Sequence, residues 1–245
     1  MKKEADLRSA HPLNAASGPF AAALTLAGLT AGHPVVLVMP EDAPALRQET
    51  LLRLGAQIRH SPARSGVNGA RRLAAQTAAA NGWYYMDWLA NDDNPEYHRR
   101  VTGPAIVQSI AREGKSAVDA IVIGVGSGGT ITGVAEYIKA WNSMVRIVAV
   151  EPAECAAISG GFIGQHGISG IGPGFVPENY NPYVVDTVLT VTTADAERAA
   201  REVLFFDGVP ACTSAGATLA AAVQLLSMGK AKRPLCVFAG RHIYG

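Results

Sequence analysis

The sequence predicts an α/β protein in which parallel strands form the sheets and helices cover both faces. Apolar segments of strand length alternate with helical patterns along most of the 245 residues. One βαβ unit is especially clear. An apolar strand over 120–123 ends at glycines, a helix opens at Thr130, and a second strand over 145–150 ends on Glu151. The first turn of such a unit lies at the carboxyl end of a strand, where α/β sheets bind their ligands.

Composition indicates a packed chain whose partners are small molecules or other protein subunits. Hydrophobic residues make up 49% of the sequence and charged residues 17%, which excludes disorder. A formal net charge of +1 gives no electrostatic argument for nucleic acid or a membrane surface. Cys155, Cys212 and Cys236 lie far apart without a CxxC pair, so we expect no metal site and no disulfide. This cysteine usage fits the cytoplasm.

In the first half of the chain, glycines mark the ends of helices. Gly32, Gly55 and Gly82 follow helical patterns, as expected of residues that adopt a left-handed conformation after a helix. The expected helices are 20–31, 43–54 and 69–81, and the expected strands are 35–39, 57–60 and 84–86. A further helix over 96–112 contains Pro104 and should break or bend there.

After the βαβ unit, a glycine-rich segment over 160–174 predicts a long loop. We expect a strand over 184–191, a helix over 194–206 capped by Thr193, a turn over 207–215, a helix over 216–228 and a strand over 235–238. We divide the chain into a smaller lobe over 17–115 and a ligand-binding lobe over 116–245.

The glycine loop by itself allows two interpretations. Gly124, Gly126 and Gly129 satisfy the GxGxxG pattern, and Glu151 stands where an acid would hold the ribose of NAD. The glycines could instead only permit close packing of strand and helix. Pro152 directly after Glu151, and the position of the unit in the middle of the chain, count against NAD.

A competing interpretation uses more of the sequence. The chain resembles the cysteine synthase and cystathionine β-synthase family, which belongs to the fold-type-II enzymes that use pyridoxal 5′-phosphate (PLP). The matching segments follow the family's order over roughly residues 16–239. They are GHPVVLVMPEDAPALRQETLLRLGAQI (32–58), NPEYHRRVTGPAIVQSI (94–110), DAIVIGVGSGGTITGVAEYIK (119–139), VRIVAVEP (145–152), GISGIGPGF (167–175) and GVPACTSAGATLAAA (208–222).

The resemblance implies roles for particular residues. Gly126, Ser127, Gly128, Gly129 and Thr130 match the loop that binds the PLP phosphate, and backbone N–H groups at a helix start suit that anion. Ser214 matches the serine that bonds the pyridine nitrogen, although a serine there could also be an ordinary N-cap. Gly170 and Ile171, together with Ser17 and Gly18, match segments that line the amino-acid substrate.

The chain also departs from the family. The lysine that binds PLP covalently lies upstream of the family's SGNTG segment, and none of the six lysines here replaces it. The SGNTG segment itself is Ser17-Gly18-Pro19-Phe20-Ala21, and Trp88 stands where the family has a glutamine. We therefore expect a shortened member of PLP fold type II with an incomplete first lobe, no catalytic lysine and no covalent attachment of PLP.

The function that the resemblance implies is cysteine synthesis by β-replacement, of the O-acetylserine sulfhydrylase type, with impaired or absent catalysis. The alternative is a pseudoenzyme that binds a complete homologue, and a third hypothesis is an NAD-binding protein. We expect PLP or an amino acid as ligand, a homodimer or a complex with a homologue, and neither nucleic acid nor membrane. His98, between charged neighbours, is expected on a solvated face, and His166 on the surface.

Overall fold

Two parallel sheets of four strands each form the frame of the described part of the chain, residues 11–16, 18–112 and 118–240 of a computed structural model. The chain divides into two units, one ending at Trp88 and the other starting at Leu89. Each sheet belongs to one unit. The fold is the predicted α/β type with parallel strands and helices on both faces.

The first unit has strand order β3-β2-β1-β4. Its strands are β1 (Pro12–Ala15), β2 (Val36–Pro40), β3 (Gln57–Ser61) and β4 (Tyr84–Tyr85), and its helices are α1 (Pro19–Thr30), α2 (Ala45–Arg53) and α3 (Gly66–Asn81). Helices cover both faces of this sheet. One core joins alternate strand residues to α1 and α2, and the other joins the remaining ones to α3.

The second unit has strand order β7-β6-β5-β8. Its strands are β5 (Ala120–Gly124), β6 (Arg146–Pro152), β7 (Thr187–Val191) and β8 (Pro234–Val237). Its helices are α4 (Asp93–Tyr97), α5 (Gly103–Arg112), α6 (Gly129–Trp141), α7 (Thr193–Asp207) and α8 (Thr213–Ser227). Ile121 and Ile147 pack toward α6, whereas Val122 and Val148 pack toward α8. This alternation places helices on both faces of a fully buried central strand.

The helix predicted over 96–112 is interrupted, as expected. A π-helical segment, His98–Thr102, joins α4 to α5 immediately before Pro104. Proline has no backbone N–H to donate, so regular helical bonding cannot continue through this position. π-helical turns within helices are frequent at functional sites.

Three local expectations differ from the structure. Strand β1 was not predicted, because its four residues, PLNA, include proline and asparagine and show no strand pattern. The cap of α7 is Thr192, whose hydroxyl accepts from the N–H of Asp195, and not Thr193. Helix α8 begins at Thr213, within the predicted turn, so that Ser214 lies in its first turn.

The division after Trp88 also falls earlier than the predicted lobe boundary after residue 115. Helix α6 explains the difference, because it packs closely on α4 and on the π-helical segment. A Cβ atom added to Gly133 of α6 would lie 2.0 Å from the carbonyl oxygen of Pro95. By these contacts the segment that follows Trp88 belongs with the second sheet.

Candidate functional site

The glycine loop lies at the carboxyl end of β5, a central strand of the second sheet. Chain progression leads from β5 to β6 on one side, while β8 flanks β5 on the other. The loop therefore opens at the point where the strand order reverses, the usual ligand position of a doubly wound sheet. Helix α6 begins there at Gly129, and its N-cap residue, Gly128, offers no side chain to cap it.

Close backbone packing explains the glycines of this loop. Gly128 adopts a left-handed conformation with φ of 83°, and a Cβ atom there would lie 2.7 Å from the backbone nitrogen of Tyr180. A Cβ atom on Gly126 would lie 2.3 Å from the carbonyl oxygen of Gly170. Burial, together with the charge of Glu151, raises the pKa of the Tyr180 hydroxyl. The loop is thus pressed against two neighbouring segments, one of which holds the predicted substrate residue Gly170.

The hydroxyl of Ser127 already accepts two hydrogen bonds. The N–H of Gly129 donates to its Oγ at 3.3 Å, and Nδ2 of Asn94 donates to the same oxygen at 3.0 Å. A hydroxyl oxygen has two lone pairs and one proton. With both lone pairs used, Ser127 is left with its own proton to donate to a ligand.

Thr130 contacts a histidine on the π-helical segment. Its Oγ1 lies 3.1 Å from Nε2 of His98, whose Nδ1 lies 2.9 Å from Oγ1 of Thr102. Burial lowers the pKa of His98, because removal from water disfavours the charged ring, and so favours the neutral imidazole. The expectation that His98 lies on a solvated face is therefore wrong, because the close packing of α4 against α6 turns this side chain inward.

Ser214 lies near the same edge of the sheet. A Cβ atom on Gly170 would lie 3.8 Å from its Oγ, so the segment with Gly170 and Ile171 runs between the glycine loop and Ser214. The N-cap of α8 is Cys212 and not Ser214, which excludes the ordinary capping role. The Cys212 thiol and the Ser214 hydroxyl lie 3.1 Å apart, and either can be the donor.

Ile171 of the predicted substrate loop is buried. A Cβ atom on Gly124 would lie 2.9 Å from its side chain, so Ile171 supports the end of β5. Gly170 is exposed and adopts a left-handed conformation with φ of 96°. His166 is half-buried, with Nε2 2.9 Å from the carbonyl oxygen of Gly172, so it supports the loop. The N–H of Ile168 donates to its Nδ1.

The Glu151 carboxylate is not available to bind a ribose. Glu151 is only 1% exposed, and its carboxylate accepts hydrogen bonds from the N–H groups of Ile158 and Ser159 at 2.8 and 2.9 Å. The Ser159 hydroxyl is a third donor. Because these bonds occupy the carboxylate within the fold, the geometry gives the NAD hypothesis no support.

In the first unit, the described part of the predicted substrate segment, residues 18–21, is apolar. Ser17 lies outside the described residues, and Gly18 is the N-cap of α1, where no side chain caps the helix. The ring of Phe20 stacks on that of Trp88 with centroids 5.3 Å apart and an angle of 15° between the planes. Nε1 of Trp88 donates to the carbonyl oxygen of Ala15 at 3.3 Å. Aromatic side chains thus stand where the resemblance places a threonine and a glutamine.

The described lysines lie away from the glycine loop. Nζ of Lys139, on the last turn of α6, donates to Asp186 at 2.6 Å and to the carbonyl oxygen of Val145 at 3.0 Å. Both partners precede strands of the second sheet, and Lys230 and Lys232 precede β8. These three lysines therefore lie toward the amino ends of the strands, whereas the loop lies at the carboxyl ends. Lys2, Lys3 and Lys115 lie outside the described residues.

Sequence reasoning missed Asn94 and His98 as members of this site. Their spacing of four residues places both on one face of a helix, and this pattern could have suggested that they act together. Which element that face meets depended on the packing of α6, which no local pattern specifies.

Within the described ranges no group of three or more His, Cys, Asp or Glu side chains could hold a metal ion. None of the described helices is long and apolar enough to cross a membrane.

Comparison with known proteins agrees with this geometry. Residues 4–240 match the sequence profile of the protein family described as pyridoxal-phosphate dependent enzyme. A cysteine synthase of Staphylococcus aureus is 34% identical over 207 residues, which are 84% of this chain and 66% of that protein. The chain thus spans just under two thirds of the length of this curated relative.

Solved structures are similar over almost the whole chain. A cysteine synthase from Entamoeba histolytica matches with a TM-score of 0.88 at 30% identity. The match covers 98% of this chain and 71% of the Entamoeba chain. A hydrogen sulfide-producing enzyme from Fusobacterium nucleatum matches with a TM-score of 0.92 at 27% identity. The match covers 99% of this chain and 73% of the Fusobacterium chain. The chain belongs to the pyridoxal-phosphate dependent enzymes, in the cysteine synthase and cystathionine β-synthase group of fold type II, and this membership implies PLP as cofactor.

Proposed function

We propose that the second unit binds PLP, with the phosphate at Gly126–Thr130 and the ring nitrogen at Ser214, in a protein of the cysteine synthase type. The observation that carries this proposal is the start of α6. It combines a helix N-terminus whose N-cap residue, Gly128, has no side chain with the hydroxyls of Ser127 and Thr130. The first N–H groups of a helix have no partner within the helix, and together with the helix dipole they attract an anion.

The described residues fit a phosphate monoester. Glycines at 126 and 128 leave no side chain over the turn, and any Cβ atom there would clash with a neighbouring backbone. Ser127 has its lone pairs occupied and one proton to donate, as an anion requires. Ser214 places a hydroxyl, and no carboxylate, at the ring end, which would leave the ring nitrogen largely unprotonated. When bound, PLP supplies an electron sink suited to replacing a β-substituent of an amino acid.

The reaction class that we propose is the O-acetylserine sulfhydrylase type, which forms cysteine from an activated serine and sulfide. The cysteine synthases among the relatives of this chain support it. We propose further that this 245-residue chain alone has little or no such activity. The described lysines lie at the other edge of the second sheet, and the stacked pair of Phe20 and Trp88 offers no amide or hydroxyl group for a carboxylate. The free cysteines suit a reducing compartment, and we propose the cytoplasm.

Binding of PLP by its phosphate is tested by titrating the chain with PLP and with pyridoxal, which lacks the phosphate. Hydrogen bonds to charged groups contribute about 1.5–3 kcal/mol each, so PLP should bind roughly 100-fold more tightly than pyridoxal. The double variant Ser127→Ala/Thr130→Val should lose most of that difference. Thr50→Ala, which removes an exposed hydroxyl from α2 in the first unit, should lose none. Equal affinity for PLP and pyridoxal would contradict the proposal.

A second candidate function is that of a non-catalytic partner for a complete homologue. The end of α7 favours it, because Leu204, Phe205 and Phe206 are 48%, 82% and 76% exposed. Apolar side chains grouped in this way on a surface commonly mark a contact with another protein. This candidate is compatible with bound PLP, and it also fits a homodimer.

A further inference from the structure

The Thr130 hydroxyl is held from behind by a chain of polar groups on the π-helical segment. Oγ1 of Thr130 lies 3.1 Å from Nε2 of His98, and Nδ1 of the same ring lies 2.9 Å from Oγ1 of Thr102. We infer that His98 is a positioning residue that directs the Thr130 hydroxyl proton toward a bound phosphate. This inference rests on the proposed function, in which Gly126–Thr130 binds the phosphate of PLP.

The direction of the hydrogen bonds follows from the chemistry of the groups. An ionised phosphate oxygen only accepts, so Thr130 must give its proton to that oxygen and accept from His98. A neutral imidazole has one N–H, and donating it from Nε2 leaves Nδ1 as the acceptor of the Thr102 hydroxyl proton. The proton order is thus Thr102 to His98, His98 to Thr130, and Thr130 to the anion. Burial lowers the pKa of His98, which favours the neutral ring that this order needs.

Packing fixes the ring at this place. A Cβ atom on Gly133 would lie 2.7 Å from Cβ of His98, so α6 and the π-helical segment touch where the ring leaves its backbone. The rings of Tyr97 and His98 also form a T-shaped pair, with centroids 5.6 Å apart and an angle of 85° between the planes. An imidazole held by its backbone and its neighbours loses little entropy when it bonds, which suits an orienting role.

Arg99, the cationic residue that follows His98 in the sequence, does not orient the Thr130 hydroxyl. Arg99 is paired with Glu96 and with Glu136, and its Nε donates to the Glu136 carboxylate at 2.8 Å. Its charge is therefore neutralised at the side of α6. The groups that hydrogen-bond to the Ser127 and Thr130 hydroxyls are neutral, namely an amide, a backbone N–H and an imidazole. Orientation of these few donors should then matter more than net charge.

The test compares four forms of the chain by their dissociation constants for PLP and for inorganic phosphate. We expect His98→Ala to weaken both by about tenfold, because Thr130 loses the donor that fixes its hydroxyl. His98→Gln places an amide N–H near the position of Nε2 and should stay within about threefold of the unsubstituted chain. The control is His60→Ala, since His60 is exposed on β3 in the first unit and contacts Gln48.

A merely structural role for His98 would give a different result. Thermal unfolding measures how much each variant is destabilised, and affinity for PLP measured well below those midpoints separates the two effects. If His98→Gln loses as much affinity as His98→Ala, or if neither loses any, the inference is overturned while PLP binding stands. If the unsubstituted chain binds neither PLP nor phosphate, the proposed function fails together with it.

The tautomer of His98 is a second, independent readout. In the chain with uniformly ¹⁵N-labelled histidine and bound inorganic phosphate, long-range ¹H–¹⁵N spectra should show the His98 proton on Nε2. A proton on Nδ1 in the phosphate-bound chain would reverse the proposed order of donors and overturn the inference. Thr102→Val should shift this tautomer equilibrium, because it removes the hydroxyl that bonds Nδ1.

Discussion

Lysine positions are the residue-scale feature with the clearest chemical consequence. Lys139 is tied to Asp186 and Val145, at the edge of the sheet that lies opposite the glycine loop. A five-residue strand such as β5 spans roughly 15 Å, which is beyond the reach of these lysines. We therefore predict that borohydride reduction of the PLP-loaded chain, followed by mass spectrometry, labels none of Lys139, Lys230 and Lys232 stoichiometrically. One lysine labelled to completion would show that the chain supplies its own covalent attachment.

The position of the glycine loop was predictable, because glycines that follow an apolar strand and precede a helix indicate a turn at the carboxyl end of that strand. Gly126–Thr130 and Ser214 could be chosen from the order of the matching segments, and the structure brings them to one edge of the second sheet. Asn94 and His98 were not found, because their role depends on which helix face meets α6. The predicted cap of α7 was one residue too late, because Thr192 and Thr193 have the same side chain and only the geometry of the helix start distinguishes them.

At the scale of elements, the contact of α6 with α4 positions the site. Gly129 and Gly133, four residues apart on α6, leave room for the Asn94 side chain and the Pro95 backbone. Sequence periodicity predicted α6 and the helices of the first unit, since apolar patterns and, in the first unit, helix-ending glycines specify them. Strand β1 escaped prediction because tertiary pairing with β2 and β4 creates it, and not the propensity of its four residues.

Gly133→Ala should therefore disturb both stability and binding. The added Cβ atom would lie 2.0 Å from the Pro95 carbonyl oxygen, so α4 and the π-helical segment must move. Overpacking of this kind costs about 1–3 kcal/mol in the free energy of unfolding, and the shift should also weaken PLP binding. Ala140→Ser adds one heavy atom to the exposed side of the same helix and should change neither. Denaturant titration and PLP titration would measure both effects, and a Gly133→Ala variant equal to the control would contradict this packing argument.

At the scale of the whole molecule, the exposed end of α7 predicts association. Light scattering should give a mass of at least a dimer, either for the chain alone or after addition of a complete cysteine synthase. Phe205→Ser/Phe206→Ser should reduce that association, because it removes two aromatic side chains that are mostly exposed in the single chain. A chain that stays monomeric under both conditions would count against the partner function.

The central claim, that the chain grips a phosphate at the start of α6, is tested most directly by amide NMR. In a ¹H–¹⁵N spectrum of the whole chain, PLP and inorganic phosphate should both shift the amide protons of Gly128 and Thr130 downfield. Pyridoxal should leave them in place, since it has no anion to accept from these N–H groups. The contradicting result is that these amides do not respond to PLP, or that they respond equally to pyridoxal.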